Sequence, residues 1–279
     1  MPLDLTIAIP AKNEAKNLPE CLKSIGKDFA RNIVVIDSGS TDETISIASA
    51  FGATVIDFKW NGNFPKKRNW YLHNHTPNTK WILFLDADEH LTADFKKELS
   101  IELHNKNTCD GYWLNYSIFF MDKKMKTGYP LRKLALFKVG SGEYERINEE
   151  RWSNLDMEIH EHPIIKGNLG KIKSKIDHLD YRGIEHYCKK HLEYANWEAV
   201  RYLEIKNNPL VKKNWTWKQK TKYNLMKTPF IGIVYFLGSY FLLGGFLNGY
   251  RGLIFSIFKM NYFTQIYCKI EELKKNKIN

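Results

Sequence analysis

The fold of this chain is decided by residues 5–58, which read LTIAIPAKNEAKNLPECLKSIGKDFARNIVVIDSGSTDETISIASAFGATVIDF. Three short apolar, β-branched runs stand in this stretch, as buried parallel strands require: LTIAIP (5–10), NIVVID (32–37) and ATVIDF (53–58). Apolar side chains recur at helical spacing between these runs, beginning at Leu18. The stretch therefore predicts alternating strands and helices, the pattern of an α/β fold with a doubly wound, mostly parallel sheet flanked by helices.

Signals of the same kind continue beyond this stretch. KWILFLD (80–86) predicts a fourth strand, and Thr92 is predicted to cap the helix that follows it. Ser40 and Glu43 form a capping-box pattern, which predicts that the Ser40 hydroxyl accepts the backbone N–H of Glu43. Three later strands are predicted at GYWLNYSIFF (111–120), LRKLALFKV (131–139) and MEIHEHPII (157–165). A helix is predicted over residues 184–206.

The composition is that of a folded chain. Its 279 residues are 43% hydrophobic and 26% charged, which excludes a disordered protein. The four cysteines, Cys21, Cys109, Cys188 and Cys268, lie far apart in the sequence. This spacing excludes a disulfide scaffold and a cysteine-rich zinc module, and it favours a reducing compartment. The first residues have no basic region before their short apolar run, so we expect no secretory signal.

The charge is divided unevenly along the chain. Residues 1–165 carry a net charge of −2, whereas residues 166–279 carry +13. Within the second part, residues 205–279 hold 13 basic and 2 acidic side chains. This asymmetry predicts that the C-terminal end meets an anionic surface, either nucleic acid or phospholipid head groups. We predict a domain over residues 1–205 and a basic, aromatic and apolar helical region over 206–279.

The C-terminal region has the features of a membrane-associating segment. The stretch 211–227, VKKNWTWKQKTKYNLMK, interleaves six lysines with aromatic residues, as interface anchors beside anionic lipid do. Residues 228–250 contain no charge but several glycines. We expect helices that lie in, or dip into, one leaflet of a bilayer. A buried helical hairpin and a single membrane span are the alternatives.

Polar turns follow three of the predicted strands. Ligands of an open parallel sheet bind outside the carboxyl ends of its strands, so these turns are predicted to converge. Asp86 and Asp88 flank one small residue after the fourth strand, at a spacing that suits one hard cation. Mg²⁺ and Mn²⁺ prefer such oxygen ligands. A solvated turn is the alternative for an isolated D-x-D pattern, and the two neighbouring polar turns favour the cation site.

The three turns together resemble a known family. The motifs PAKNE (10–14), VIDSGSTDET (35–44) and FLDADE (84–89) are similar, in order and spacing, to those of family 2 glycosyltransferases. The similarity is strong over residues 4–105 and loose over 106–205. Within the family, the chain looks most similar to bacterial lipopolysaccharide-core β-1,4-glucosyltransferase-like enzymes. The resemblance implies the GT-A fold, inversion at the anomeric carbon and Mn²⁺ or Mg²⁺ as cofactor.

The resemblance also implies roles for individual residues. The nucleoside of a nucleotide-sugar donor, commonly UDP-linked, would be bound by Pro10, Ala11, Asn13, Glu14, Asp37 and Ser38. The donor diphosphate or sugar would meet Lys67, Arg68 and Asn69. Ribose and metal-bound diphosphate would be held by Asp86 and Asp88, with Ala87 between them. A divalent ion and a guanidinium are suited to this work, because they neutralise the charge that develops on the leaving diphosphate.

Inversion needs a general base for the acceptor hydroxyl. The Glu-Asp pair that many relatives use is absent, and the stretch DMEIHEHP (156–163) stands in its place. We predict Glu161 as the base, with Asp156 and Glu158 as alternatives. His160 is a further candidate metal ligand, and an exposed strand without catalytic function is the alternative for the whole element.

The sequence thus predicts a glycosyltransferase that moves a sugar, with a UDP-linked hexose as the expected donor, to a lipid-borne glycan of bacterial surface polysaccharide or lipopolysaccharide. Transfer to a polyprenyl phosphate is the closest alternative. The predicted location is the cytoplasmic face of the bacterial inner membrane, with peripheral or monotopic attachment. A nucleic-acid-binding protein is disfavoured, because the first 165 residues carry a slight net negative charge.

Overall fold

A computed structural model describes residues 1–105, 109–146, 156–158, 161–179, 183–207 and 217–276. The chain divides into two compact units. Unit 1 comprises Met1–Ile118 and Leu131–Asp180, and unit 2 comprises Phe119–Pro130 and Tyr181–Asn279. The helix predicted over residues 184–206 lies in unit 2, so the units divide earlier than the boundary predicted between residues 205 and 206. That boundary stays a prediction about where the catalytic domain ends.

The first half of unit 1 is a parallel sheet with helices between its strands. The strands are β1 (Leu3–Ala11), β2 (Ala30–Asp37), β3 (Thr54–Asp57) and β4 (Trp81–Phe84), in the spatial order β3-β2-β1-β4. The helices are α1 (Leu18–Ile25), α2 (Thr44–Phe51), α3 (Lys67–Asn74) and α4 (Ala93–His104). All four predicted strands are confirmed. Helix α3 was not predicted from the sequence, because its apolar positions follow no clear helical stripe.

The second half of unit 1 extends this sheet with antiparallel pairs. Its strands are β5 (Glu89–His90), β6 (Cys109–Phe120), β8 (Leu131–Lys138) and β11 (Asn168–His178), and the full order is β3-β2-β1-β4-β8-β6-β11-β5. Strand β8 runs antiparallel to β4 and β6, whereas β11 runs parallel to β6. The short strand β7 (Lys123–Lys124) pairs with β6, and β9 (Gly142–Tyr144) pairs with β10 (Pro163–Ile165). The fold is therefore α/β with a mixed sheet.

The core of unit 1 lies on both faces of the sheet. Strand β1 is buried at eight of its nine positions, which explains its continuous apolar sequence. Leu5, Ile7 and Ile9 pack on one face in the same cluster as Leu18 and Leu22 of α1. The helix that Thr92 was predicted to begin is confirmed, because the Thr92 side chain accepts the backbone N–H of Phe95 at its start.

The strand predicted over residues 157–165 is confirmed only at its end, where β10 covers Pro163–Ile165, and it is wrong for the described positions 157, 158, 161 and 162. Strand β10 begins only at Pro163, and Glu158, Glu161 and His162 lie outside any strand. The physical reason is that the carboxylates of Glu158 and Glu161 bond to the start of α3 and to Lys66. Positions 159 and 160, and with them the candidate ligand His160, lie outside the described residues.

Unit 2 is helical. It contains α5 (Ile184–Asn207), α6 (Trp217–Leu225), α7 (Ile231–Leu237), a π-helix (Gly238–Leu242), a 3-10 helix (Gly245–Asn248) and α8 (Gly249–Asn276). The helix predicted over 184–206 is confirmed. Its sequence has an apolar stripe at helical spacing, and Ala195, Ala199 and Leu203 of this stripe are buried. Its other end differs, because Ile184, Cys188 and Leu192 are exposed.

The uncharged run 228–250 is broken into several short helical pieces. Gly244 has a φ of 72°, in the left-handed region that glycine adopts without strain. A Cβ atom at Gly252 would clash with the carbonyl oxygen of Gly245, so this close approach needs glycine. Within the described chain, no single helix has the length and hydropathy to cross a membrane. Ile231–Leu242 and Gly245–Lys275 reach that length and composition only as a pair, bent by 70°.

Candidate active site

The turns that follow β1 and β2 interlock through hydrogen bonds. The backbone N–H of Asn13 donates to Ser40 Oγ at 2.8 Å, and Asn13 Oδ1 accepts the N–H of Thr41 at 2.8 Å. The N–H of Glu14 donates to Thr44 Oγ1, also at 2.8 Å. Asn13 has a φ of 55°, a conformation that asparagine tolerates better than most residues. The structure thus brings together two of the three turns that were predicted to converge.

The capping box predicted at Ser40 and Glu43 is wrong. The Ser40 hydroxyl contacts the Asp37 carboxylate, which also accepts the Ser40 N–H at 2.8 Å. Helix α2 begins at Thr44, whose N–H bonds to Asp42 Oδ1 at 3.0 Å. The hydroxyl of Ser40 donates instead to the Asp37 carboxylate, three residues earlier, and accepts the N–H of Asn13 from the neighbouring turn, 27 residues away.

The residues predicted to bind the nucleoside lie along this edge of the sheet. Pro10 and Ala11 pair with Ile36 and Asp37 at the ends of β1 and β2. The carbonyl oxygen of Ala11 accepts the N–H of Ser38 at 3.1 Å and Lys67 Nζ at 3.2 Å. Because Lys67 reaches Ala11, the nucleoside and diphosphate residues predicted from the resemblance are adjacent in space.

Three consecutive basic residues at the start of α3 each contact a carboxylate. Their side chains are buried, although lysine and arginine are rarely so without a partner. The pairs are Lys66–Glu161 at 2.8 Å, Lys67–Asp156 at 3.3 Å and Arg68–Asp86 at 2.7 Å. The resemblance implied a donor-binding role for Lys67 and Arg68, but it did not include Lys66 and did not reveal the partner of any of the three.

Asp156 lies between α3 and the turn that follows β2. Its Oδ2 accepts the Ser38 hydroxyl at 2.6 Å and lies 3.3 Å from Lys67 Nζ. Burial acts to raise the pKa of Asp156, but Lys67 and Ser38 hold it below its usual value. Burial lowers the pKa of Lys67, and Asp156 opposes that shift. This pair therefore joins a predicted diphosphate residue to a candidate base.

Glu158 caps helix α3 from a distant part of the chain. Its Oε2 accepts the N–H of Arg68 at 2.9 Å and its Oε1 accepts the N–H of Asn69 at 3.1 Å. Glu158 is only 2% exposed. A carboxylate at a helix N-terminus binds otherwise unpaired N–H groups and is favoured by the helix dipole. Both Glu158 oxygens are thus engaged with the backbone.

Asn69 joins the same helix to the small sheet of unit 1. Its Nδ2 donates to the carbonyl oxygen of Tyr144 at 2.9 Å, and its Oδ1 accepts the Tyr144 N–H at 2.8 Å. Asn69 is fully buried. The amide of this predicted donor-binding residue therefore bonds to the backbone of β9.

Replacing Glu158 with alanine is expected to lower the free energy of unfolding by about 1–3 kcal/mol, because two N–H groups of α3 lose their buried acceptor. Urea denaturation followed by circular dichroism measures this change. Glu143→Ala is the control, since Glu143 pairs with His73 at an exposed position. Equal stability of the Glu158 and Glu143 variants would contradict the capping role.

The acidic turn after β4 is held by two cations. Asp86 Oδ1 contacts Arg68 Nη2 and Asp86 Oδ2 contacts Lys133 Nζ, both at 2.7 Å. Lys133 Nζ also lies 2.5 Å from Glu89 Oε1, while Glu89 Oε2 accepts the N–H of Asp86 at 3.0 Å. Burial acts to raise the pKa of Asp86, but Lys133 and Arg68 hold it well below its usual value. Lys133 lies on β8 and was not predicted from the sequence.

Asp88 lies beside His178, which was not predicted from the sequence. His178, at the end of β11, has its Nε2 3.5 Å from Asp88 Oδ1. Burial acts to lower the pKa of His178, but the Asp88 carboxylate raises it above its usual value. The backbone supports the same approach, since the N–H of Leu179 donates to the carbonyl oxygen of Asp88 at 2.8 Å. Ala87, between the two aspartates, is buried.

The residues of this turn fit a divalent ion in part. The Asp88 oxygen and the His178 nitrogen are suitable donors for Mn²⁺, and their separation allows them to bind one ion. Both oxygens of Asp86 are engaged with cations, so the structure does not bring Asp86 and Asp88 to one ion as predicted. Among the described residues, no group of three or more His, Cys, Asp or Glu side chains could hold a metal ion. An ion here would therefore need further ligands from substrate or water.

The fold is that of an α/β protein, and its candidate site lies at the carboxyl ends of β1, β2 and β4, where open α/β sheets bind their ligands. A family model described as Glycosyl transferase family 2 matches residues 6–161. The match covers more than half of the chain and all the turns described above. The chain belongs to family 2 of the glycosyltransferases, and its fold is the predicted GT-A fold.

Two of the following three curated relatives are named glycosyltransferases. An uncharacterized glycosyltransferase of Rickettsia typhi is 26% identical over 270 residues, which is 95% of this chain and 86% of the relative. The glycosyltransferase SunS of Bacillus subtilis is 35% identical over 98 residues, and the match spans 34% of this chain and 22% of SunS. A TPR repeat-containing protein of Synechococcus elongatus is 36% identical over 99 residues, which is 24% of its length.

Solved structures show a distant likeness. Staphylococcus aureus TarS 1-349 is 14% identical, with a TM-score of 0.44 and coverage of 99% of this chain and 92% of that one. Glucosyl-3-phosphoglycerate synthase of Mycobacterium tuberculosis, solved with Mn²⁺, UDP and glucosyl-3-phosphoglycerate, is 20% identical with a TM-score of 0.32. That likeness covers 41% of this chain and 43% of the synthase.

Proposed function

We propose that this glycosyltransferase moves a sugar, with inversion, from a nucleotide-diphosphate donor to a lipid-borne glycan acceptor in bacterial surface polysaccharide or lipopolysaccharide synthesis. A UDP-linked hexose is the proposed donor. The observation that carries the proposal is the row of buried basic residues at the start of α3. Within it, Lys67 contacts Ala11 at the end of β1, and Arg68 contacts Asp86 in the acidic turn. A diphosphate needs this combination of cations beside a nucleoside pocket.

In the proposed donor complex, Asn13, Glu14 and Asp37 line the nucleoside pocket with Pro10, Ala11 and Ser38. Lys67 and Arg68 lie next to that pocket and donate to phosphate oxygens. Their carboxylate partners, Asp156 and Asp86, keep them oriented toward the edge of the sheet before the donor arrives. Side chains held in place in this way lose less entropy when the donor binds.

The proposed cofactor is Mn²⁺ or Mg²⁺, held by Asp88 and His178 at one side of the donor diphosphate. When bound, such an ion neutralises charge on the leaving diphosphate. Arg68, which contacts Asp86 Oδ1, supplies a second positive charge. Both oxygens of Asp86 are engaged with Arg68 and Lys133, so we assign Asp86 the orientation of these two cations rather than the ribose contact that the resemblance implies.

The proposed base is Glu161, which would accept the proton of the acceptor hydroxyl. Its carboxylate is 5% exposed and accepts Lys66 Nζ at 2.8 Å. The neighbouring candidates have other contacts, since Glu158 caps α3 and Asp156 bonds to Ser38 and Lys67. Asp156 is the most exposed of the three and is the alternative base.

Transfer to a polyprenyl phosphate is the second candidate. It is favoured by the engagement of all three candidate bases with cations or backbone N–H groups. A phosphate acceptor is already ionised and needs no base. Variants of the three carboxylates therefore distinguish the two candidates.

Calorimetric titration with UDP, GDP and dTDP in the presence of Mn²⁺ tests the donor proposal. We expect UDP to bind and the other two nucleotides to bind at least about 10-fold more weakly, because contacts to the base select the nucleotide. Incubation with UDP-hexoses and bacterial lipid extracts then identifies the acceptor. Tighter binding of GDP or dTDP would replace UDP in the proposal, and binding of none would overturn it.

Attachment to an anionic membrane, at the cytoplasmic face of the inner membrane, is proposed for unit 2. The support is an apolar surface on its described residues, which are all exposed: Phe230, Ile233, Val234, Leu237, Phe241, Leu242, Leu243, Phe246, Leu247, Tyr250, Leu253 and Ile257. Exposed apolar residues this concentrated in sequence are typical of interaction sites. Lys220 and Lys227 are exposed as well, whereas Lys222 pairs with Glu198 at 2.8 Å.

The double variant Phe241→Ser, Leu242→Ser is expected to weaken binding to anionic vesicles at least about 10-fold, because each lost side chain contributes roughly 1.5–3 kcal/mol when fully buried. Co-sedimentation with vesicles of phosphatidylglycerol and phosphatidylethanolamine measures this. The matched control is Ile101→Ser, Ile164→Ser, which removes exposed apolar residues from unit 1. We expect salt to weaken the lysine contribution and leave the apolar one. Equal vesicle binding by both double variants would contradict monotopic attachment.

A further inference from the structure

Lys133 reaches the acidic turn from a neighbouring strand. Its Nζ lies 2.7 Å from Asp86 Oδ2 and 2.5 Å from Glu89 Oε1. The ring of Tyr116 lies on a further side, with its centroid 5.2 Å from the same nitrogen. Two carboxylates and an aromatic face thus fix one ammonium group.

The register of the sheet brings Lys133 to this place. Leu83 of β4 pairs with Leu136 of the antiparallel strand β8. Continuing that antiparallel register three residues forward from Leu83 and three residues back from Leu136 places Asp86 opposite Lys133. The ammonium is therefore anchored on a strand of the central sheet rather than on a loop, and its position is defined before any ligand binds.

The turn contains three acidic residues, and Arg68 forms an ion pair with one of them, Asp86. Asp86, Asp88 and Glu89 lie within four residues, and Glu89 is only 1% exposed. Arg68 contacts Asp86 Oδ1, whereas Lys133 contacts both Asp86 and Glu89. Buried like charges repel one another strongly unless a cation lies between them.

Glu89 transmits the position of Lys133 to the backbone. While its Oε1 contacts Lys133, its Oε2 accepts the N–H of Asp86 at 3.0 Å. Loss of the ammonium would leave Glu89 as an uncompensated buried charge next to that N–H. The orientation of the turn, and with it the direction of the Asp86 and Asp88 carboxylates, depends on this contact.

We propose that Lys133 is a positioning residue of the transferase site, which holds Asp86 and Glu89 so that the turn 86–89 receives the nucleotide-diphosphate donor. This inference rests on the proposed function, because it concerns how the donor is bound. Lys133 acts through the two carboxylates, and its removal is expected to affect donor binding before it affects any other step.

The test compares two lysines of the same strand. Lys133→Met removes the ammonium from the turn. Lys138→Met removes a similarly exposed ammonium that pairs with Asp110 at 2.9 Å, away from the turn. Binding of UDP, GDP and dTDP with Mn²⁺ is measured by calorimetry, and donor KM and kcat are measured with the nucleotide sugar that the wild type uses.

For Lys133→Met we expect the dissociation constant of the nucleotide and the donor KM to rise about 10–100-fold, as for a lost charge contact, with an unchanged acceptor KM. Lys138→Met should stay within about 2-fold of the wild type. Lys133→Arg should recover most of the loss, since a guanidinium can also contact two carboxylates. A purely structural role would lower kcat through loss of active protein and leave donor KM unchanged.

A second variant covers poor folding of Lys133→Met. In the double variant Lys133→Met, Glu89→Gln the uncompensated charge is gone, and we expect tighter nucleotide binding than in Lys133→Met alone. Wild-type affinity and donor KM in Lys133→Met, or nucleotide binding in the double variant that is no tighter than in Lys133→Met, would overturn the role of Lys133 while the proposed function stands. If the wild type binds none of the three nucleotides, both proposals fall.

Discussion

Glu161→Gln is expected to reduce the rate of sugar transfer by about 10²–10⁴-fold and to leave the affinity for UDP almost unchanged. The substitution keeps the shape of the side chain and removes the oxygen charge that would accept the acceptor proton. Lys66 Nζ lies 2.8 Å from Glu161 Oε1, and a neutral amide oxygen can still accept this hydrogen bond. The rate of transfer from UDP-hexose and the dissociation constant of UDP are the two measurements.

The neighbouring carboxylates provide the controls. Glu158→Gln keeps one acceptor oxygen for the N–H groups of α3 and should change the transfer rate far less than Glu161→Gln. A normal rate in Glu161→Gln with a large loss in Asp156→Asn would assign the base to Asp156. If all three variants transfer sugar normally while Asp88→Asn does not, the acceptor is a phosphate.

Asp88→Asn is expected to lower the transfer rate by about 10²-fold or more, as for other lost charge-stabilising groups. EDTA should abolish transfer by the wild type, and added Mn²⁺ or Mg²⁺ should restore it. His178→Ala should raise the Mn²⁺ concentration needed for half-maximal activity, because its Nε2 lies 3.5 Å from Asp88 Oδ1. Activity as a function of metal concentration measures all three effects.

Asp110→Asn is the matched control, because it removes a carboxylate that pairs with Lys138 away from the acidic turn. Its metal dependence should equal that of the wild type. Asp86→Asn separates the two aspartates, since Asp86 contacts Arg68 and Lys133 rather than His178. We expect it to weaken UDP binding more than Mn²⁺ activation. Full activity of the wild type in EDTA would contradict the metal role of Asp88.

Strands β1, β2 and β4 and the polar turns after them could be predicted because the sequence patterns that indicate them are local. A buried parallel strand needs a short continuous apolar run, so β1, β2 and β4 are visible in residues 3–11, 30–37 and 81–84. The turns that follow these strands lie at one edge by topology alone. The predicted capping box is wrong because the Ser40 hydroxyl donates to Asp37 and accepts the N–H of Asn13. The contact with Asn13 comes from a different turn, so the spacing of Ser40 and Glu43 alone does not predict it.

The sequence by itself therefore predicted the α/β class, the edge of the sheet that carries the candidate site, the acidic turn, and Lys67 and Arg68 of α3. Only the tertiary structure decided their partners. Lys133 meets Asp86 because β8 runs antiparallel to β4, and His178 meets Asp88 because the end of β11 pairs with β5, where His178 lies opposite Glu89. Strand register and remote capping by Glu158 are chosen by the packing of the whole unit, and the free energy of that packing is not contained in any short stretch of sequence.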